Sequence, residues 1–145
     1  MQISIKNLTP KAFAPYGEII EPGKRKPQGQ EKDWKFYVIT REPGYSWRIG
    51  YYVPRIKALR KLEKHPSSLE SFEPVSGISI IIAAEEDFPE TPEAFLLNKP
   101  VILKKGIWHG ILSLSDKVEI KITENLEVES KFYYLKKPLK VSVTG

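Results

Sequence analysis

Val118, Ile120 and Ile122 alternate with Lys117, Glu119 and Lys121, the period of two expected of a strand with one face in a core and one in water. In an earlier segment Ile78, Ile80 and Ile82 take one side while Ile81 and Ala83 take the other. Both faces are apolar there, which predicts a central strand buried on both sides. Trp34, Phe36 and Val38 alternate with Lys35, Tyr37 and Ile39, and Glu42-Pro43-Gly44-Tyr45 carries Pro and Gly in the order a type II turn needs. With Ser46 to Val53 as the mate strand, this stretch predicts a hairpin. Glu70 to Val75, Ala94 to Leu97, Pro100 to Leu103, Ile107 to Leu114, and Phe132 to Leu135 with Val141 and Val143 supply the remaining strand candidates. Arg55 to Lys64 is a basic segment leading into His65-Pro66-Ser67-Ser68, and Glu85 to Thr91 reads as an acidic loop. One short helix is predicted near the start: Thr9 caps it, Pro10 suits its first turn, Gly17 ends it, and Pro15 limits it to about a turn and a half. Twelve prolines and nine glycines punctuate the apolar segments at near-regular intervals, which describes an antiparallel sandwich or barrel and not a helical bundle. No internal repeat, linker or low-complexity tract interrupts the pattern, so one all-β domain over residues 1–145 is expected.

A chain of 145 residues can bury a core without disulfides or a structural metal. It has no cysteine, which removes a disulfide framework, a thiolate metal site and a cysteine nucleophile together. The first twenty residues contain no charged-then-apolar leader, and the longest apolar run, Ile78 to Ala84, is too short to cross a bilayer. A cytoplasmic protein without a membrane partner is expected. Lys and Glu dominate the 28% of charged residues, and with a single Met and no Cys this is the compositional drift of heat-adapted proteins. The net charge of +5 raises nucleic acid as a partner. Its distribution argues against one: Lys24, Arg25 and Lys26 sit in a Pro/Gly-rich stretch, Lys104 and Lys105 precede a turn, and most other cations are interleaved with Glu, as on a solvated surface.

Only two histidines exist, His65 and His109, each beside a turn that punctuates a β segment. A lone histidine is more often structural than functional. Two at matching places in two halves of a β-rich chain form a stronger signal, because imidazole near its ordinary pKa of about 6.5 serves as acid, base or metal ligand. Ile107, His109 and Ile111 share one strand face, so His109 projects from an otherwise apolar row. A regular strand would set Glu70 opposite His65, but Pro66-Ser67-Ser68 can bend the chain and bring both side chains to one side. An exposed strand-edge carboxylate is the bland alternative for Glu70.

Three stretches resemble the signatures of the ureidoglycolate lyase family, in the right order: Leu8-Thr9-Pro10-Lys11-Ala12-Phe13-Ala14-Pro15-Tyr16-Gly17-Glu18-Ile19-Ile20, then Leu62-Glu63-Lys64-His65-Pro66 with Phe72 and Pro74, and finally Gly106-Ile107-Trp108-His109. The resemblance implies a cupin-type β-barrel, that is, a double-stranded β-helix or jelly roll with one short N-terminal helix, and a homodimer. It implies a carbon-nitrogen lyase that cleaves a small-molecule substrate, ureidoglycolate, to glyoxylate and urea in allantoin breakdown. In that reaction a base takes the hydroxyl proton of a carbinolamine while an acid protonates the departing urea nitrogen. His65 and His109 would share those roles, Glu70 would orient one of them, and Arg48 or Lys105 would receive the substrate carboxylate. His65, Glu70 and His109 could also hold a divalent metal such as nickel or manganese, since two histidines and a carboxylate form an accepted ligand set.

Four polar features depart from the family pattern. Glu70 stands where Gln is usual, Gly110 where a second His is frequent, an Asn-Gln-Gly stretch survives only as Gln28-Gly29, and an arginine common after the second signature has no counterpart near Thr123. These departures keep alive a reading from a different class, a non-catalytic cupin that binds a small anionic or sugar-like ligand. A metal-dependent isomerase or oxygenase is a third reading, which the low histidine count disfavours.

Overall fold

The computed structural model describes residues 1–142; Val143, placed in the last strand by the sequence reading, lies outside them. The elements run β1 (Gln2–Lys6), α1 (Pro10–Phe13), β2 (Gly17–Ile19), β3 (Gly29–Glu31), β4 (Trp34–Phe36), β5 (Trp47–Tyr52), β6 (Leu59–Lys64), β7 (Glu70–Ser76), β8 (Ser79–Ala84), β9 (Glu93–Leu96), β10 (Val101–Leu103), β11 (Trp108–Ser113), β12 (Glu119–Asn125) and β13 (Lys131–Ser142). Six strands close a barrel in the order β1-β13-β6-β11-β8-β9, and a five-stranded sheet runs β2-β10-β7-β12-β5. This is the jelly-roll barrel of the cupin type, all-β apart from one four-residue helix.

The apolar rows explain the layers. β8 is buried along its whole length, as its two apolar faces require, and lies between β11 and β9. Ile81 and Ala83 face a cluster with Phe13, Phe72, Phe95, Ile111 and Ile120, while Ile80 and Ile82 face a second with Leu62, Trp108, Leu112 and Leu139. β12 presents Ile120 and Ile122 inward as its alternation demands. In α1 the Thr9 hydroxyl accepts a hydrogen bond from the Ala12 amide at 3.2 Å, with Pro10 opening the first turn. Phe13 is fully buried and packs edge-on against Phe95, 5.2 Å between ring centroids.

One expectation fails and four strands, β1, β2, β3 and β6, went unread. Trp34 to Ile39 and Ser46 to Val53 do not form a hairpin: β4 pairs with β3 (Gly29↔Phe36), and β5 pairs with β12 (Trp47↔Asn125 to Tyr52↔Ile120). The intervening Gly44 does adopt the positive φ of 85° that the turn chemistry suggests, yet the longer-range pairing with β12 decides the partner of β5. The basic segment Arg55 to Lys64 contains a full strand, β6, bonded to β13 and β11. Leu59 and Leu62 are buried there while Arg60 and Lys61 are exposed. β1 carries no assignment in the sequence reading; it is bonded in parallel to β13 and β9 and closes the barrel.

Gly77, in the turn between β7 and β8, has φ 81°, and a Cβ placed on it would fall inside the carbonyl oxygen of Lys117. Glycine is required there on both counts, by backbone conformation and by space.

Candidate active site

Three strands, β6 and β11 of the barrel and β7 of the five-stranded sheet, deliver the ionisable side chains. β6 carries Glu63 and runs directly into His65, β7 opens at Glu70, and β11 sets His109 opposite Glu63 in the ladder. The Pro66-Ser67-Ser68 bend does what the sequence suggested, placing Glu70 Oε1 3.3 Å from His65 Nε2. The same oxygen lies 2.9 Å from His109 Nε2. Glu63 Oε1 approaches from the other side, 3.3 Å from His65 Nε2 and 3.9 Å from His109 Nε2. His65, Glu70 and His109 are each only 6% exposed, and they line a cleft of about 720 Å³ with apolar walls that include Phe72, Ile111 and Ile122.

The outward nitrogens fix the tautomers. His109 Nδ1 is 3.0 Å from the carbonyl of Ile107, and His65 Nδ1 is 3.1 Å from the carbonyl of Glu129. A carbonyl oxygen only accepts, so Nδ1–H donates in both rings and Nε2 faces the cleft. With neutral imidazoles two lone pairs would therefore point at two carboxylates. Glu70 Oε1 is then a buried oxygen without a hydrogen-bond donor. Two arrangements relieve it: protons on the Nε2 atoms, or a cation among them.

The titration directions follow. Burial disfavours a charged His65, but hydrogen bonds to Glu63 and Glu70 outweigh it and push the imidazole up to about 10. For His109 burial again opposes the charge, and its bond to Glu70 overcomes it, raising the pKa. Burial alone would raise Glu70; the two imidazoles reverse that and hold it well below the usual carboxylate range. In the metal-free protein, then, the His65 contribution to stability is complete below its ordinary value of 6.5 and is lost as pH climbs toward about 10. The Glu70 contribution is present above its ordinary value of 4.5 and is lost on acidification. Thermal unfolding with a chelator present is expected to show a midpoint that declines from pH 6.5 to 10, and a smaller decline in His65→Asn. Equal slopes for the two proteins would show that His65 is not held charged in the fold.

Of the residues expected from sequence, His65, Glu70, His109 and Arg48 all border the cleft. Arg48, on β5, directs Nε and Nη2 to Glu124 Oε2 at 2.9 and 2.7 Å, and Glu124 belongs to the β12 row that passes over Glu70. Lys105 does not join them. Its ammonium sits 3.3 Å from Glu42 Oε1 and 4.7 Å above the Tyr45 ring, outside the cleft, because Gly106 turns the chain after it toward β11. Glu63, Glu124 and Tyr52 went unrecognised. Glu63 was readable from parity, being two residues before His65, which follows directly on the same strand end; Glu124 continues the inward row of Ile120 and Ile122.

A family model described as ureidoglycolate lyase matches residues 1–141. The chain belongs to that family. Among curated relatives, the ureidoglycolate lyase of Azotobacter vinelandii is 30% identical over 84% of both chains, and that of Rhizobium etli is 29% identical over 74% of both. In solved structures, the capsular polysaccharide assembling protein CapF of Staphylococcus aureus shares the fold over 75% of this chain and 34% of its own, with a TM-score of 0.50 and 15% identity. At that identity the likeness concerns the fold alone. The ureidoglycolate lyase signatures seen in the sequence fall on the structural parts that matter most: the opening block forms α1 and β2, and the other two deliver Glu63, His65 and His109.

The cluster also fits a metal ion. Glu63, His65 and His109 offer ligand atoms within 4.8 Å of one another, as do His65, Glu70 and Glu124. Imidazoles that present Nε2 while Nδ1–H is anchored to a carbonyl are in the state a metal ligand needs.

Proposed function

We propose that this protein cleaves ureidoglycolate to glyoxylate and urea, with His65, His109 and Glu70 as the reacting cluster. The observation that carries this reading is the convergence of two imidazole Nε2 atoms on one buried carboxylate oxygen at the wall of a cleft of small-molecule size. One imidazole, in its neutral form, removes the proton of the substrate hydroxyl as the carbon-oxygen double bond forms. The carbon-nitrogen bond breaks, and the other ring, as imidazolium, delivers a proton to the departing urea nitrogen. Glu70 touches both rings, so it orients them and lets the proton gained at one be restored at the other, which returns the site to its starting state. Family membership and the named relatives support the same reaction.

Arg48 is the residue for the substrate carboxylate, a planar fork at the cleft border that a carboxylate can engage. Arg48→Met is expected to raise KM for ureidoglycolate about tenfold or more with kcat little changed, as for a contact made equally in ground and transition states. A fall in kcat with KM unaltered would remove Arg48 from substrate binding.

We further infer that His65, His109, Glu70 and Glu63 would hold a divalent ion, nickel or manganese, as the alternative state of the cluster, in which its bonds to the Nε2 atoms replace the proton transfers at those rings. When bound it would act as a Lewis acid toward the substrate oxygens. A cytoplasmic homodimer is the form in which we expect the enzyme to work. The test is a coupled assay of glyoxylate released from fresh ureidoglycolate, run on chelator-treated protein and again with added nickel or manganese. Turnover establishes the lyase; turnover only after metal addition establishes the ion as well. Folded protein that releases no glyoxylate under either condition would overturn the proposal.

A further inference from the structure

Among the described residues, β5 lies at one edge of the five-stranded sheet and is bonded to a neighbour, β12, on one side only. All six of its residues are exposed. Tyr45, Trp47, Ile49, Tyr51 and Val53 occupy every second position through and just beyond the strand, and each is 53–66% exposed. Alternation sets Trp47, Ile49 and Tyr51 on one face and Arg48, Gly50 and Tyr52 on the other; the second set borders the cleft, and Tyr51 reaches its rim as well.

An edge strand invites pairing with another chain, and monomeric proteins blunt such edges by shortness or by charge. The opposite edge of this same sheet is treated in that way. β2 has three residues, the middle one the exposed Glu18, 3.3 Å from Arg25. β5 has neither device: it is twice as long, and its one charge, Arg48, is drawn toward Glu124.

We propose that β5 is the contact between two copies of this chain, each adding its β5 antiparallel to the other so that the two five-stranded sheets join edge to edge. An antiparallel pairing of a strand with itself is isologous and closes as a dimer, which suits a single unprotected edge. A register centred on Gly50 would set Ile49 against Tyr51 of the partner subunit and Trp47 against Val53 of the partner subunit. The apolar stripe thereby covers itself. Half of the area typical of buried aromatic and branched side chains gives roughly 500 Å² for the five stripe residues, more than half of the about 800 Å² per partner that a stable interface buries. The backbone edge and the cleft-side residues Arg48 and Tyr52 would contribute the remainder. In the same register Arg48 meets Tyr52 of the partner subunit, so the rims of the two clefts meet at the axis.

This surface rests on the homodimer stated above and not on the lyase reaction. Sedimentation velocity over a micromolar concentration series tests it, with Ile49→Lys/Tyr51→Lys as the disrupting variant, Ile49→Asp as a milder one, and Phe88→Lys as an exposed apolar position elsewhere. The wild type and Phe88→Lys are expected to sediment as dimers. The double variant is expected as a monomer with an unchanged circular dichroism spectrum, and Ile49→Asp as a dimer weakened at least tenfold in Kd. Amide hydrogen exchange should show the β5 amides that point away from β12 protected in the wild type and unprotected in the double variant. A monomeric wild type would overturn both the dimer and the surface. A dimer that persists in both β5 variants, or β5 amides pointing away from β12 equally protected in wild type and monomeric variant, would overturn the surface alone.

Discussion

Glyoxylate release is expected to fall by about 10²- to 10⁴-fold in His109→Ala, the range associated with loss of a positioned acid or base. His109 projects from the apolar row of β11, is buried on all sides, and has the shortest approach to Glu70 in the cluster, at 2.9 Å. His65→Ala should lose a comparable factor, since the reaction needs a proton accepted and a proton given. The double variant should be little worse than either single, because groups acting as one unit are not additive. The measurement is kcat/KM from the coupled assay, beside thermal unfolding of each variant. Full activity in either single variant would remove that residue from the mechanism. His109→Gln, which keeps an amide near the position of Nε2, offers a folded comparison should truncation destabilise the barrel.

Gly77→Ala carries the largest expected loss of stability, more than about 3 kcal/mol. Two effects combine. The positive φ of 81° disfavours any residue with a Cβ, and the new methyl would occupy the position of the Lys117 carbonyl oxygen, which belongs to the backbone and cannot swing aside. The turn from β7 to β8 would have to separate from the segment leading into β12, next to the register shift at Glu119 and Ile120. Gly44→Ala isolates the first effect. Its φ is 85°, yet nothing lies within 4 Å of the added atom, so a loss of about 1 kcal/mol is expected there. Urea denaturation of the two variants gives the comparison, and similar losses at both positions would show that the overlap at Gly77 is relieved cheaply.

The legible parts of this chain are those in which one strand's own alternation reports its burial. β8, β11 and β12 could be read nearly residue by residue, including the face from which His109 projects; the exception is Ile78, read into the buried row of β8 but exposed and ahead of the strand. β6 could not, because Arg60, Lys61 and Lys64 lend it the composition of a surface linker while only Leu59 and Leu62 are buried to hydrophobic purpose. The partner of β5 was misread for a different reason. A Pro-Gly turn is a local signal, whereas the bond to β12 spans about seventy residues and is decided by the sheet as a whole. The site shows the same division. The bend after His65 was visible in Pro66, but the meeting of His65 with His109 required the barrel, and Lys105 was carried away by a turn whose direction no spacing rule gives. Glu63 stands in the quoted signature, but its place at the site follows from the pairing of β6 with β11, which sets it opposite His109.

The parallel pairing of β1 with β13, Gln2↔Lys140 to Ser4↔Ser142, carries a consequence for synthesis. β1 has one partner, β9, about ninety residues later and the other only near the last described residues. On the ribosome it must wait with both hydrogen-bonding edges open, and β6, which supplies Glu63 and leads into His65, waits for β13 as well. The barrel therefore cannot be sealed progressively from its N-terminal end. It closes late, in a step that joins β1 to β13, and the slow formation of such distant contacts makes that interval the period in which the nascent protein is most exposed to misassembly.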